Sequence, residues 1–492
     1  MHPTVSTQSQ HPGSRHPRRT QLTIPATEDL TPYEKRSRAE VRGHILFSIA
    51  VLLFLALAWA LAVASPASPA PPSLVTEVTL DNGLRVLVLE DHRNPIVTVQ
   101  TWYRVGSRNE VPGKTGLAHF LEHLMFKGTP THGKGQFARV VEQNGGQDNA
   151  FTSHDVTSYY VNIAADRVDM VLALEADRMR HLLLDPKEIE SERQVVMEER
   201  RTRTEDDPDG YLSEEFLAAA YKAHPYGWPV IGWMEDIARI TPAELRAFYD
   251  RYYQPGNAIL VIVGDVDARR IVGRVREAFG RIPRAPAPPP MQAVEPPQPG
   301  ERRVLVHKAD ARSPIVYIGF HVPNYQSPDA PALEVLSSIL QDGRASRLYR
   351  RLVYERRMAL NVGGDYTYLS FDPNLFWFSG TPLPGQTPET LEQGMMDEIE
   401  RVKSEPVPEE EVERAKNQIE AGFIWRLDSI HSRASTLARF ELARSWRDSE
   451  SFVGLIRQVT AADLQRVARA YFQIDRRTVG VLLPGAAPAA AK

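Results

Sequence analysis

The chain has 492 residues, 42% apolar and 24% charged, with a net charge of −4. That length exceeds one ordinary core and predicts two or more domains, the composition excludes wholesale disorder, and the near-neutral balance gives no footing for a nucleic-acid partner. There is no cysteine, so disulfides, thiolate metal sites and thiol nucleophiles are excluded, and any metal must be held by His, Asp or Glu.

Residues 1–44 read as a disordered polar arm that ends in the basic group Lys35, Arg36, Arg38 and Arg42. Twenty uncharged residues follow, "ILFSIAVLLFLALAWALAVA" from Ile45 to Ala64, long enough to cross a bilayer as a helix. The basic flank is expected to stay cytoplasmic, which sends everything beyond Ala64 across the membrane into the cell envelope or periplasm. Ala62-Val63-Ala64 before Ser65 also fits a leader-cleavage site, so a signal peptide competes with an anchor, and a translation start near Val41 would give that leader ordinary proportions. Residues 65–75 form a proline-rich linker.

A second proline-rich stretch, residues 281–302, divides the rest into parts at 76–280 and 303–484, with a disordered tail at 485–492. In the first part "EVTLDNGLRVLVLED" has the strand, Asn-Gly turn and strand of a hairpin. "RVDMVLALEADRMRHLLLD" and "PAELRAFYDRYY" carry apolar residues at helical spacing. The 281–302 linker is expected to be extended and to pack no core. The two parts repeat: "ITPAELRAFYDRYYQPGNAILVIVGD" from Ile240 lies over "VTAADLQRVARAYFQIDRRTVGVLLP" from Val459, and "NPIVTVQTWYRVG" from Asn94 over "SPIVYIGFHVPNY" from Ser313, both at a shift of 219. Two matches at one offset predict an internal duplication. The expected fold class is α+β, with two homologous halves, each an antiparallel sheet covered by helices.

The chemistry concentrates in "GLAHFLEHLMFKGT", Gly116 to Thr129. On a helix, His119 and His123 lie one turn apart on one face, a bite that closes on a single ion. Gly128 marks a helix stop. Glu122, beside His123, is placed to act as a base over a metal. The pattern alone is short enough for chance, and two ligands are incomplete, because catalytic zinc usually takes three protein ligands. The best third candidate lies in the charged helix "EIESERQVVMEERRTRTEDDPDG", where Glu192 and Glu199 are seven apart and share a face with Val195 or Val196.

With Glu199 included, the spacing resembles the inverted zinc motif of the pitrilysin and insulinase metallopeptidases, which include the mitochondrial processing peptidase and many bacterial zinc proteases. "GGQDNAFTSHDVTSYY", "HPYGWPVIGWMEDI" and "YYQPGNAILVIVGDVD" follow in family order. The resemblance implies one Zn2+ per chain held by His119, His123 and Glu199, with Glu122 as general base. It implies that Glu192 orients a ligand and that Asn149 and Ala150 belong to an edge strand on which peptide substrate is laid. Phe151 and Tyr159 read as core packing. The implied activity is that of a zinc metalloendopeptidase acting on peptides or short unfolded segments inside a chamber that the second half helps to close.

The second half has no such site. At a shift of 219 the His119, Glu122 and His123 positions become Ser338, Gln341 and Asp342; at a shift of 215 they become Glu334, Ser337 and Ser338. The family's substrate-holding arginine and tyrosine fall on Val353 and Leu360, with Arg350, Arg351, Tyr354 and Tyr366 as possible substitutes. The expectation is therefore a zinc-bearing subunit that pairs with a homologous metal-free chain supplying the Arg/Tyr pair. The alternatives are a self-sufficient homodimer or monomer, and a non-catalytic subunit of the kind found in respiratory complexes.

Overall fold

The computed structural model describes residues 74–485. The basic arm, the apolar segment 45–64, most of the first linker and most of the expected tail lie outside the described residues. Among the described residues no helix is long and apolar enough to cross a membrane.

Two sheets carry the chain. The first contains β1 (Val75–Thr79), β2 (Arg85–Glu90), β3 (Ile96–Tyr103), β4 (Gln147–Thr152), β5 (Thr157–Ala164) and β6 (Ala258–Gly264), in the order β1-β2-β6-β3-β5-β4. The second contains β7 (Arg302–Lys308), β8 (Ile315–Val322), β9 (Ala359–Tyr366), β10 (Asn374–Pro382) and β11 (Arg477–Pro484), in the order β7-β11-β8-β10-β9. Removing β1 leaves the same order twice. β3 and β8 begin 219 residues apart, at Ile96 and Ile315, as do the helices Pro242–Tyr252 and Ala461–Tyr471. Each of those helices starts with a capping box, Thr241 with Glu244 and Thr460 with Asp463. The Asn-Gly hairpin joins β1 to β2 with Gly83 at φ 93°.

The sheets are mixed and not purely antiparallel, which corrects the sequence expectation. β2 runs parallel to β6 and β7 parallel to β11, because each pair joins the first core strand of a half to its last one, and the long connection lets the chain return in the same direction.

Each sheet has one face on its own half's core and the other under a helix contributed by the opposite half. On the first sheet Leu87, Leu89, Ile259, Val261 and Val263 pack against Ala434, Leu437, Ala438 and Leu442 of the helix Ile430–Ala443. On the second, Val306, Tyr317, Leu375 and Leu482 pack against Leu212, Phe216 and Ala220 of the helix Pro208–Ala220. This double cover is why β6, "AILVIVG", is buried at every position and reads as an unbroken apolar run. The 281–302 segment, expected to pack no core, does pack at its start: Ile282 is buried in the first half's apolar cluster, and the rest of the segment is pinned down by polar contacts. The Glu295 carboxylate accepts the N–H groups of Lys222, Ala223 and His224 at 2.9–3.0 Å, Gln254 donates to the Pro286 carbonyl at 2.8 Å, and Gln298 donates to that of Arg477 at 2.8 Å.

Candidate active site

The helix Leu117–Leu124 begins after Gly116, which holds φ at 92°. A Cβ there would meet the Ile231 carbonyl at 2.6 Å. Gly116 and Ala118 both donate their N–H to the Glu110 carboxylate at 2.8 Å, so an acid from an earlier turn satisfies the helix N-terminus. Thr115 donates its N–H and hydroxyl to Asp236 and accepts from the Trp233 N–H, tying the helix start to "GWMEDI". Gly116→Ala is expected to cost about 2 kcal/mol, from left-handed strain plus the clash. Gly113→Ala, at φ 83° with nothing within 4 Å of its Cβ, is expected to cost clearly less. Urea unfolding of both variants checks this, and equal losses would refute the role given to the close approach. The helix itself ends at Leu124, four residues before Gly128.

On this helix the His119 and His123 rings are 4.7 Å apart. Facing them, Glu199 stands at the end of the helix Pro186–Arg200, immediately before a π-type turn at Arg201–Glu205. That helix is started by Asp185, whose side chain accepts the Lys187 N–H, with Pro186 in its first turn. Val196 is the buried neighbour on the Glu192 and Glu199 face, while Val195 is exposed. Glu199 Oε2 lies 3.2 Å from His123 Nε2 and 3.7 Å from His119 Nε2. The three ligand atoms fall within 4.8 Å of one another, the only such grouping among the described residues. Two imidazole nitrogens and a carboxylate oxygen are the donor set that zinc accepts in catalytic sites, so the residues present fit that ion.

Glu192 accepts from His123 Nδ1 at 2.9 Å, which sets the ring so that Nε2 is the nitrogen on the Glu199 side, and it is also paired with Lys127. Burial, with His123 alongside, lowers His119 to about 4 and keeps it a neutral ligand. Burial also works against the His123 cation, but hydrogen bonds to Glu192 and Glu199 outweigh it and raise His123 to about 9. Burial pushes the Glu122 carboxyl up, opposed by the 2.6 Å hydrogen bond donated by the Thr152 hydroxyl. A raised carboxyl is suited to taking and returning a proton near neutral pH.

These groups open into a cleft of about 800 Å³ with Asn149, Ala150 and Phe151 on its wall. β4 is an edge strand, paired with β5 alone among the described residues. The Ala150 N–H is bonded by the Asn149 side chain at 2.8 Å instead of by the ladder, so this donor faces the open edge where an added strand would reach it. Tyr159 is fully buried, and the half-buried Phe151 sits edge-on to Trp102 at 5.3 Å.

The described lining of this cleft comes entirely from residues 119–231. None of the second-half candidates is among it. Val353 packs on the second core, Leu360 is 47% exposed on β9, and Tyr366 is buried with its hydroxyl donating to Pro323. Arg351 pairs with Glu355 at 2.7 Å, and Arg350 faces the same carboxylate at 3.7 Å. Tyr354 lies exposed. The counterpart of the metal-site helix, Ala330–Gln341, is followed by the left-handed Gly343 as the first is by Gly128. That match favours the shift of 215, with Glu334, Ser337 and Ser338 in place of the histidines and the base.

Sequence reasoning missed three supporting residues. Thr152 holds Glu122, Lys127 holds Glu192, and Arg203 pairs with Glu199 Oε1 at 2.9 Å. Lys127 and Arg203 stand four residues after His123 and Glu199, a helical spacing that was open to inspection; Thr152 had no local signal.

The chain matches the family model described as insulinase (peptidase family M16) over residues 85–232, and that described as the peptidase M16 inactive domain over residues 239–419. It is 35% identical over 410 residues to the zinc protease PqqE of Helicobacter pylori, covering 83% of this chain and 92% of that protein. It is 34% identical over 412 residues to an uncharacterized zinc protease of Mycobacterium tuberculosis, Rv2782c, covering 82% and 92%. Among solved structures, a protease from Helicobacter pylori superposes with a TM-score of 0.81 at 35% identity, covering 83% of this chain and 99% of that one. The first half of the periplasmic protease PqqL from Escherichia coli shares the fold, with a TM-score of 0.69 at 21% identity over 85% of this chain and 94% of that one.

Proposed function

Because the chain belongs to the insulinase-type M16 family of peptidases, we propose that it is a zinc-dependent endopeptidase acting on peptides or short unfolded segments. The observation that carries this reading is the convergence of His119, His123 and Glu199 beside Glu122. His119, His123 and Glu199 would hold the ion. When bound, zinc supplies the Lewis acid that polarises a peptide carbonyl and acidifies water. Glu122 takes the proton from the attacking water and returns it to the leaving amine, steadied by Thr152. Glu192 fixes the orientation of His123. The free edge of β4 at Asn149 and Ala150 receives the substrate backbone as an added strand, which holds the scissile carbonyl in place over the base.

The catalytic part is residues 76–280, and 303–484 is its metal-free copy, which closes a chamber over the site. The finer reading is that this chain is the zinc-bearing member of a pair, with a homologous metal-free chain supplying an arginine and a tyrosine. Its support is that Arg350, Arg351, Tyr354 and Tyr366 are all absent from the described lining of the metal cleft. The 45–64 segment takes the peptidase body across the membrane into the envelope, as leader or anchor. The periplasmic setting of PqqL is in keeping with that location.

One preparation tests both levels. The purified chain is expected to contain one zinc, to lose activity to a chelator and recover it with zinc, and to cut peptides at least about 100-fold faster once the co-purifying metal-free chain is added. Full activity of the isolated chain removes the pairing but leaves the peptidase. A zinc-loaded pair without activity removes the peptidase and leaves the pairing.

A further inference from the structure

Beside the metal cleft lies a second cavity of about 360 Å³, built between the halves. The two share His154, Ser213 and Leu217 as lining, so they are contiguous. The second cavity is mainly aromatic and apolar, with Phe216, Tyr226, Tyr317 and Trp377 on its walls. It contains one acid and one base of interest. Asp155 is fully engaged, accepting from Arg108 at 3.3 Å, the Tyr226 hydroxyl at 2.6 Å and the Phe371 N–H at 3.0 Å. Arg439, on the opposite-half helix Ile430–Ala443, is not. Among the described residues no hydrogen bond and no ion pair reaches its guanidinium, which is held only over the Trp102 and Phe151 rings at 5.8 Å each.

Its place relative to the chemistry follows from the pleat of β4. Ala150 and Thr152 point to the face that carries Glu122, whereas Phe151, between them, points to the opposite face beside Trp102. A peptide added along β4 alternates in the same way, so the side chains that do not face the zinc side come under Arg439. Arg439 is exposed, so its guanidinium, steadied on aromatic faces at the edge of a site that receives peptide, is free to take a carboxylate.

We propose that Arg439 is a specificity-determining residue that binds a carboxylate of the peptide substrate, from an acidic side chain or from a free C-terminus, on the face of the added strand opposite Glu122. The proposal rests on the peptidase reading, and its test separates the two. The probe is a ten-residue fluorescent peptide in three forms: without acid and amidated, without acid but with a free C-terminus, and amidated with a single Glu moved along the sequence. Binding is measured to the zinc-loaded Glu122→Gln protein, in the assembly in which it purifies, by fluorescence anisotropy.

At least one acidic form is expected to bind about tenfold or more tightly than the acid-free amide. Arg439→Gln should erase that difference, Arg439→Lys should keep part of it, and both variants should retain the parent's melting temperature. Preference for the free C-terminus identifies a terminal carboxylate, and preference for one Glu position a side chain. A preference that survives in Arg439→Gln, no preference in the parent, or no binding of any form overturns the proposal. Cleavage of the same peptides by the zinc-loaded wild-type assembly is read in parallel. Cleavage indifferent to the carboxylate leaves the peptidase without this site, and selective binding without cleavage leaves the site without the peptidase.

Discussion

Glu122→Gln is expected to lower peptide turnover by about 10²–10⁴-fold while zinc remains at one per chain. The side chain keeps its size and still accepts the Thr152 hydrogen bond, but it can no longer take a proton from water. Glu122 also stands apart from the ligand set: the atoms that converge belong to His119, His123 and Glu199, and the contact recorded for Glu122 is with Thr152 at 2.6 Å. Zinc content by atomic absorption, read beside kcat on one peptide, makes the separation. Loss of zinc in this variant would turn Glu122 into a ligand, and unchanged kcat would remove it from the reaction.

Glu199→Gln is expected to do the opposite and abolish activity by emptying the site. An amide is a far poorer zinc donor than a carboxylate, and two histidines alone make an incomplete set. Glu192→Gln, which removes the carboxylate shared by His123 Nδ1 and Lys127, is expected to weaken zinc binding by about 10–100-fold, and Glu199→Gln by more than that. The ranking is checked by competition against a zinc chelator of known affinity at fixed pH. Glu199→Gln should leave the fold intact, since its ion-pair partner Arg203 is 73% exposed and such pairs contribute little. Should Glu192→Gln bind zinc more weakly than Glu199→Gln, the roles of the two carboxylates would be exchanged.

The parts of this protein legible in its sequence are those set by local chemistry. His119 and His123 were placed together because a helical turn brings i and i+4 to one face, and the duplication was visible because β3 and β8 keep both their spacing and their apolar pattern. Glu199 needed a resemblance to other proteins, since nothing in the local pattern of a charged helix says which of its carboxylates faces a histidine 76 residues earlier. The parallel pairings β2 with β6 and β7 with β11 were missed because strand direction depends on where the chain returns, not on the residues of either strand. Thr152 and Arg439 were invisible for the same reason. A threonine in a strand and an arginine in a helix carry no mark of the neighbour that the fold brings to them.

The reciprocal cover of the two sheets sets a timetable for folding. The first sheet, complete at β6, waits for a helix beginning at Ile430, and the second takes its cover from a helix made before its own first strand. Contacts so distant in sequence are slow to form and leave apolar faces open while they are pending. For a chain threaded across a membrane from its N-terminus, the first half would emerge with Leu87, Ile259 and Val261 bare for some 170 residues of further passage. For such a chain the yield of folded protein is expected to follow the speed of passage more closely than the stability of the finished fold.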